Sequence, residues 1–181
     1  MSWQSSLFSA HYANLQSDLH ERSQYGVAST AFAGIVAKIC KAQNITSLCD
    51  YGAGRCRLNV ELQKHGVTNL IYNPYDPAFP EYGPPVAADL VCCIDVFEHI
   101  EPEFLDANIE KIFSLTTNLG FFSISTVPAQ KTLKDGRNAH LIQENSSWWL
   151  QRLTHRFDLR RLVAFKGGFW MIVRPLKATA S

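Results

Sequence analysis

One short stretch constrains this chain more than any other: Leu48-Cys49-Asp50-Tyr51-Gly52-Ala53-Gly54-Arg55-Cys56. An apolar run ending in an acid, then two glycines, then a helical pattern reads as a strand-to-helix turn. Backbone amides and the helix dipole at such a turn favour a bound anion. Glycine at 52 and 54 lets a ligand approach the main chain closely. A dinucleotide site wants Gly-x-Gly-x-x-Gly, and the third position here is Arg57. A phosphate-cradling loop wants Gly-Lys-Ser/Thr, which this stretch lacks. What remains, Asp-x-Gly-x-Gly, suits a ligand carrying a cationic amine beside an anionic carboxylate. Asp76 stands 22 residues beyond Gly54, at the end of the next apolar run. That is the usual place for a carboxylate that hydrogen-bonds ribose hydroxyls.

The rest of the chain supplies alternating elements. Residues 3–20 carry apolar positions at roughly helical spacing, and Ala28–Gln43 reads as a second helix. Ile45–Asp50 is a strand, and Arg55–His65 a helix with Leu58, Val60 and Leu62 inward and Gly66 as its stop. Asn69–Tyr72 and Ala88–Ile94 are further strands, Phe104–Thr117 a helix, and Gly120–Thr126 another strand. Pro128–Gln143 is a long polar loop and Glu144–Arg156 a helix. Asp158–Phe165 and Gly168–Arg174 form a hairpin around Gly167-Gly168. Five of the eight prolines lie in 74–85, which bars a normal helix or a central strand there. The order predicts an α/β sandwich with a mostly parallel sheet and an antiparallel C-terminal hairpin. All 181 residues then form a single domain, with 1–44 a helical lead-in or lid and 45–181 the core.

Composition excludes several classes. Apolar residues make up 46% and charged residues 18%, enough for a packed core and too apolar for disorder. Lys plus Arg is 17 against 16 Asp plus Glu, so no global basic excess points to nucleic acid. The apolar stretches Leu90–Ile94 and Leu119–Ile124 are far too short to span a bilayer. Asp18, His20, Glu21 and Arg22 interrupt any signal-peptide pattern in residues 1–30. Five cysteines, an odd number without a Cys-x-x-Cys pair, indicate neither a disulfide framework nor a zinc knuckle. Cys49, Cys92 and Cys93 read as small core residues. A cytoplasmic protein with no membrane partner is expected.

With these residues in view, the chain resembles class I S-adenosylmethionine-dependent methyltransferases. The motifs that carry the resemblance are Asp50-Tyr51-Gly52-Ala53-Gly54, Tyr75-Asp76-Pro77 and Asp89-Leu90-Val91-Cys92-Cys93-Ile94-Asp95-Val96-Phe97-Glu98-His99-Ile100. The segment 135–143, followed by Trp148-Trp149, is similar to uncharacterised bacterial and phage methyltransferase-like proteins. The resemblance implies a Rossmann-like sandwich with S-adenosylmethionine as cofactor. It implies Asp50 at the donor's amino group, Gly52 and Gly54 along its methionine part, Asp76 at the ribose, and Asp95 near the sulfonium. Tyr25, in the lead-in, is a further donor-contact candidate. Two departures stand out. Cys56 replaces a frequent third glycine. Only twelve residues separate Asp76 from Asp89, where the family fits a helix and a strand. The sheet is therefore expected to be shortened between the second and fourth strands of the family, and the usual acid that reads the adenine amino group has no counterpart.

Asp95, Glu98 and His99 are spaced i, i+3 and i+4, so a helical turn would place them on one face. With His140 from the long loop they form a candidate mixed oxygen and nitrogen site for Mg2+ or Mn2+. The pattern is similar to two metal-using groups, the small-RNA terminal 2′-O-methyltransferases and the ubiquinone-pathway O-methyltransferases, with Asp95 shorter than their first glutamate. Metal-free relatives carry a similar run in which the His packs or hydrogen-bonds; without a metal, His140 or His99 of this chain is the candidate general base, and Glu98 is the third candidate catalytic residue. The expected reaction is O-methylation of a small molecule. Metal-dependent RNA 2′-O-methylation, and a non-catalytic donor-binding regulatory or assembly subunit, are the alternatives.

Trp148 and Trp149 open a helix with Ser146 or Ser147 as cap, and either stack on a planar acceptor or pack in the core. Lys131, Lys134 and Arg137 either recognise an anionic substrate or belong to a solvated loop. Arg152, Arg156, Arg160 and Arg161 are the basic cluster that RNA binding would use.

Overall fold

The computed structural model describes residues 7–20 and 28–177. Among these residues six strands make one sheet: β1 (Ser47–Tyr51), β2 (Ile71–Tyr75), β3 (Ala88–Ile94), β4 (Thr116–Ser125), β5 (Phe157–Phe165) and β6 (Gly168–Pro175). Their order is β2-β1-β3-β4-β6-β5. The first four run parallel, and β6 lies antiparallel to both β4 and β5. Among the described residues five α-helices accompany them: α1 (Ala10–His20), α2 (Ala28–Ala42), α3 (Arg57–Lys64), α4 (Leu105–Leu115) and α5 (Ser146–Leu153). The α/β sandwich and its antiparallel C-terminal pair are as expected.

Period-two alternation in the strands decides the layering. Leu48, Leu90, Cys92, Ile94 and Phe121 point to one face, where α2 and α3 supply Val36, Ile39, Leu58 and Leu62. Cys49, Tyr51, Val91, Cys93, Phe122 and Ile124 point to the other, against Ile109 and Ile112 of α4 and Trp149 and Leu153 of α5. Both faces are covered, which is why the central strands read as near-continuous apolar runs. Cys49, Cys92 and Cys93 are buried and free, as small core residues.

The shortening lies at β2, which is an edge strand. From Asp76 the chain passes to β3 with a single 3₁₀ turn at Pro80–Tyr82. Pro74 removes a ladder donor from β2, and an edge tolerates that where a central strand would not.

Local details differ from the sequence pattern for identifiable reasons. β2 runs from Ile71 to Tyr75 instead of ending at Tyr72. On α3, Leu58 and Leu62 are one turn apart and buried, whereas Val60 points off their face and is 52% exposed. α5 is capped by Asn145, whose side chain accepts the Trp148 amide at 3.1 Å, and not by Ser146 or Ser147. β4 begins at Thr116 directly after α4, with no intervening loop. Among the described residues no helix is long and apolar enough to cross a membrane.

Candidate functional site

A cavity of about 520 Å³ opens at the carboxyl ends of the strands, where β2 lies to one side of β1 and β3 to the other. Open α/β sheets bind ligands at this topological switch, and the volume falls in the range of small-molecule sites. Asp50, Gly52, Gly54, Asp76, Asp95, His99 and His140 all line it. Tyr25 lies outside the described residues.

The glycine turn spends its own amides. Gly52 and Ala53 N–H donate to the Tyr75 carbonyl at 2.7 and 2.9 Å, and Cys56 N–H to the Ala53 carbonyl at 2.9 Å. Gly54 N–H donates to Asp76 Oδ2 at 2.8 Å. The anion cradle expected at this turn is therefore not formed by these four amides. A pyrophosphate would compete with bonds already made, whereas a ligand without phosphate would not. Gly52 has φ +85°, and a Cβ there would sit 2.3 Å from Val96 Cγ2, so side chains are excluded on both counts. What the turn presents to the cavity is carboxylate at either side.

Asp76 is buried, and its Oδ1 accepts the Ala78 amide at 2.8 Å. Asp50 is 3% exposed and accepts a hydrogen bond from the Tyr72 hydroxyl. Burial pushes the Asp50 carboxyl up to about 7, with the Asp76 charge adding and the Tyr72 bond opposing. A cation arriving at Asp50 would draw it fully into its ionised form.

Asp95 follows β3 with φ +51°, unusual for a residue other than glycine. Its amide donates to Ser123 O at 3.0 Å and to Ser123 Oγ at 3.1 Å, and Ser123 Oγ donates to Asp95 Oδ1 at 2.5 Å. Burial raises the Asp95 carboxyl, while the Ser123 hydroxyl and the nearby His140 oppose that rise.

After Asp95 the chain enters a 3₁₀ turn, Phe97–His99, and not an α-helix. Asp95, Glu98 and His99 consequently do not share a face. Glu98 is fully buried away from the cavity: its Oε1 accepts the Ser125 amide at 2.8 Å, and its Oε2 has no partner. Burial drives its carboxyl well above the ordinary glutamate value, with the Asp95 charge adding, which favours the neutral form. Among the described residues no group of three His, Cys, Asp or Glu side chains is arranged to hold a metal ion. The expected Mg2+ or Mn2+ set of Asp95, Glu98, His99 and His140 is corrected accordingly: the residues do not fit the ion. Glu98 also leaves the catalytic set, because it does not reach the cavity.

His99 and His140 do come together. Their ring centroids are 4.7 Å apart and their planes nearly perpendicular. His99 Nδ1 meets the Ala139 carbonyl at 2.7 Å, and His140 Nδ1 meets the Val127 carbonyl at 2.6 Å. A carbonyl only accepts, so each Nδ1 carries a proton, and in that tautomer the lone pair of the imidazole is at Nε2.

Three features of this end escape sequence reading. Asn138 accepts from the Ala129 and His140 amides and donates to the Ala129 carbonyl, which sets the His140 backbone. Tyr12 donates to the His99 carbonyl. Glu101 accepts from Ser9 N–H at 2.8 Å and Ser9 Oγ at 2.7 Å, fastening the start of α1 over the cavity. The Tyr12 and Glu101 roles rest on partners 87 and 92 residues away in the chain, and the Asn138 role on the conformation of its own loop.

Trp149 is fully buried, so it is core, and Arg152 stacks on Trp148 at 4.3 Å. Lys131 lines the cavity, while Arg137 pairs with Asp135 at 2.8 Å. In the C-terminal basic cluster, Arg152 pairs with Asp106, Arg156 with Glu110 and Arg160 with Asp158, and Arg161 lies over the Trp170 ring.

No protein-family profile and no curated protein sequence matches the chain. Solved structures do. The 1,6-didemethyltoxoflavin-N1-methyltransferase of Burkholderia thailandensis, with bound 1,6-didemethyltoxoflavin and S-adenosylhomocysteine, is 14% identical at a TM-score of 0.65, over 92% of this chain and 90% of that one. The N-methyltransferase NodS of Bradyrhizobium japonicum, in complex with S-adenosylhomocysteine, is 10% identical at 0.60, over 93% and 100%. The magnesium protoporphyrin IX methyltransferase of Synechocystis, with the same compound bound, is 16% identical at 0.56, over 93% and 96%. By its strand order, its layering and these likenesses, the chain has the Rossmann-like fold of class I S-adenosylmethionine-dependent methyltransferases.

Proposed function

We propose that the chain is an S-adenosylmethionine-dependent methyltransferase that methylates an oxygen of a small-molecule acceptor. The observation that carries this reading is a single cavity holding two carboxylates across a phosphate-averse glycine turn, with an imidazole lone pair at its other end. Asp50 would hold the donor's ammonium group and Asp76 its ribose hydroxyls. Gly52 allows the methionine part to lie against the main chain. Bound S-adenosylmethionine would supply a methyl group already made electrophilic by the sulfonium, to be displaced at carbon.

The chain's own work is alignment and proton removal. Holding two reactants in line is worth roughly 7–11 kcal/mol at best. His140 Nε2 takes the proton of the acceptor hydroxyl, and its Nδ1–H, fixed on the Val127 carbonyl, keeps the ring in the tautomer that does so. Asp95, which lines the same cavity, would stabilise the imidazolium that results. The pairing of Arg152, Arg156 and Arg160 with neighbouring carboxylates and the net charge of +1 favour a small acceptor over RNA.

Calorimetric titration with S-adenosylhomocysteine, followed by label transfer from S-adenosylmethionine to a panel of phenolic, hydroxyl and amine acceptors, tests the reading. Micromolar binding with transfer to a hydroxyl is expected. No binding of either donor compound would end it, and transfer to amines alone would overturn the oxygen assignment.

A further inference from the structure

We infer that Tyr72 is a positioning residue for donor recognition: its hydroxyl, reaching across from β2, orients the Asp50 carboxylate at the cavity wall for the donor's ammonium group. The inference rests on the donor site proposed above. Tyr72 and Leu48 are paired across β1 and β2, which sets the ring beside Asp50, two residues further along β1. The ring packs against the apolar layer under α2 and α3, a task that phenylalanine would do equally well. The hydroxyl is the part that packing does not explain. Burial and the adjacent Asp50 charge push its ionisation upward, so it keeps its proton and acts as a donor to the carboxylate.

The surroundings of Asp50 make that one bond decisive. Besides Tyr72, the titratable groups acting on it or acted on by it are Asp76 beyond β2, Cys56 ahead of α3, Cys92 and Cys93 on β3, and Cys49 on its own strand. Burial raises all four thiols, so they are neutral, and Asp76 repels. Among these described residues there is no cation. Tyr72 is the group that favours a charged Asp50 before any ligand arrives. Removing its hydroxyl leaves the carboxyl harder to ionise and free to turn.

Tyr72→Phe, titrated with S-adenosylhomocysteine and with 5′-methylthioadenosine between pH 6 and 9, tests the inference. The second compound keeps the nucleoside and thioether but lacks the amino acid. Affinity for S-adenosylhomocysteine should fall about tenfold at pH 7 and recover toward pH 9, since hydrogen bonds to charged groups carry effects of that size. Affinity for 5′-methylthioadenosine should stay within about twofold. On an Asp50→Asn background, Tyr72→Phe should add nothing. Equal weakening of both compounds would make Tyr72 a packing residue, and unchanged binding of both would remove its role altogether; either overturns the inference while the donor site stands. Failure of the unaltered protein to bind either compound would take down the donor site and the inference together. Should Tyr72→Phe not fold, Tyr72→Leu, which also lacks the hydroxyl, takes its place with the same expected and overturning outcomes.

Discussion

At one end of the cavity Asp50 lies within β1 and Asp76 directly follows β2, their backbones held by parallel ladders and by the Gly52, Ala53 and Gly54 amides. At the other end His140 belongs to a long loop, held by Asn138 and by its own bond to the Val127 carbonyl, with His99 on a 3₁₀ turn beside it. The first arrangement is built from main chain and strand register, so its geometry exists before a ligand binds. The second is built from side chains bonding to loop carbonyls, and loops can change without disturbing the sheet. Under the proposed function, the donor would sit on the rigid scaffold and the acceptor would be held by loop residues.

The sharpest test of that division is His140→Ala. Loss of the base should lower transfer by about 10²–10⁴-fold, while S-adenosylhomocysteine affinity stays unchanged by calorimetry. Turnover that survives the change would assign the proton elsewhere. Weakened donor binding would show that the two ends are not separable.

Gly52→Ala attacks the scaffold end instead. Its Cβ would meet Val96 Cγ2 at 2.3 Å in a left-handed conformation. Strain plus overpacking should cost about 3 kcal/mol of stability, read as a drop in the urea midpoint together with loss of donor binding. Asp76→Ala should be milder. It removes the acceptor for the Gly54 and Ala78 amides, and charge-assisted bonds of about 1.5–3 kcal/mol predict donor affinity lower by roughly 10–100-fold. A change under twofold would mean that Asp76 braces the turn without touching the donor.

The same contrast explains what was legible in the sequence. Asp50, Gly52, Gly54 and Asp76 were readable because strand ends and glycine turns have fixed spacings, and the twelve residues after Asp76 announced the short edge at β2. His99 and His140 were readable as residues of interest, but their pairing and tautomers depend on carbonyls 40 and 13 residues away in the chain. The metal reading failed on a single backbone step. Asp95 takes a left-handed conformation and a 3₁₀ turn follows, so the i, i+3, i+4 spacing never becomes a common face. Spacing names a face only when the helix type is known. The cap of α5 misled in the same way, because Asn145 and two serines all offer a suitable side chain.

Glu98 offers the smallest effect and the cleanest check on that correction. Because burial favours its neutral form, it should tolerate Glu98→Gln, whose carbonyl can still accept the Ser125 amide, at a cost near 1 kcal/mol. Transfer should be unchanged with or without a chelator, whereas a metal ligand would lose activity on the same substitution. The sign of the pH dependence adds a second reading. Because burial lifts the folded carboxyl well above its ordinary value of 4.5, the unfolded chain loses this proton first. Unfolding therefore becomes more favourable as pH rises above that value. The glutamine cannot ionise in either state, so thermal midpoints should shift in favour of Glu98→Gln between pH 5 and pH 8, and a shift in favour of the unaltered protein would mean that Glu98 is ionised in the fold and has a cationic partner.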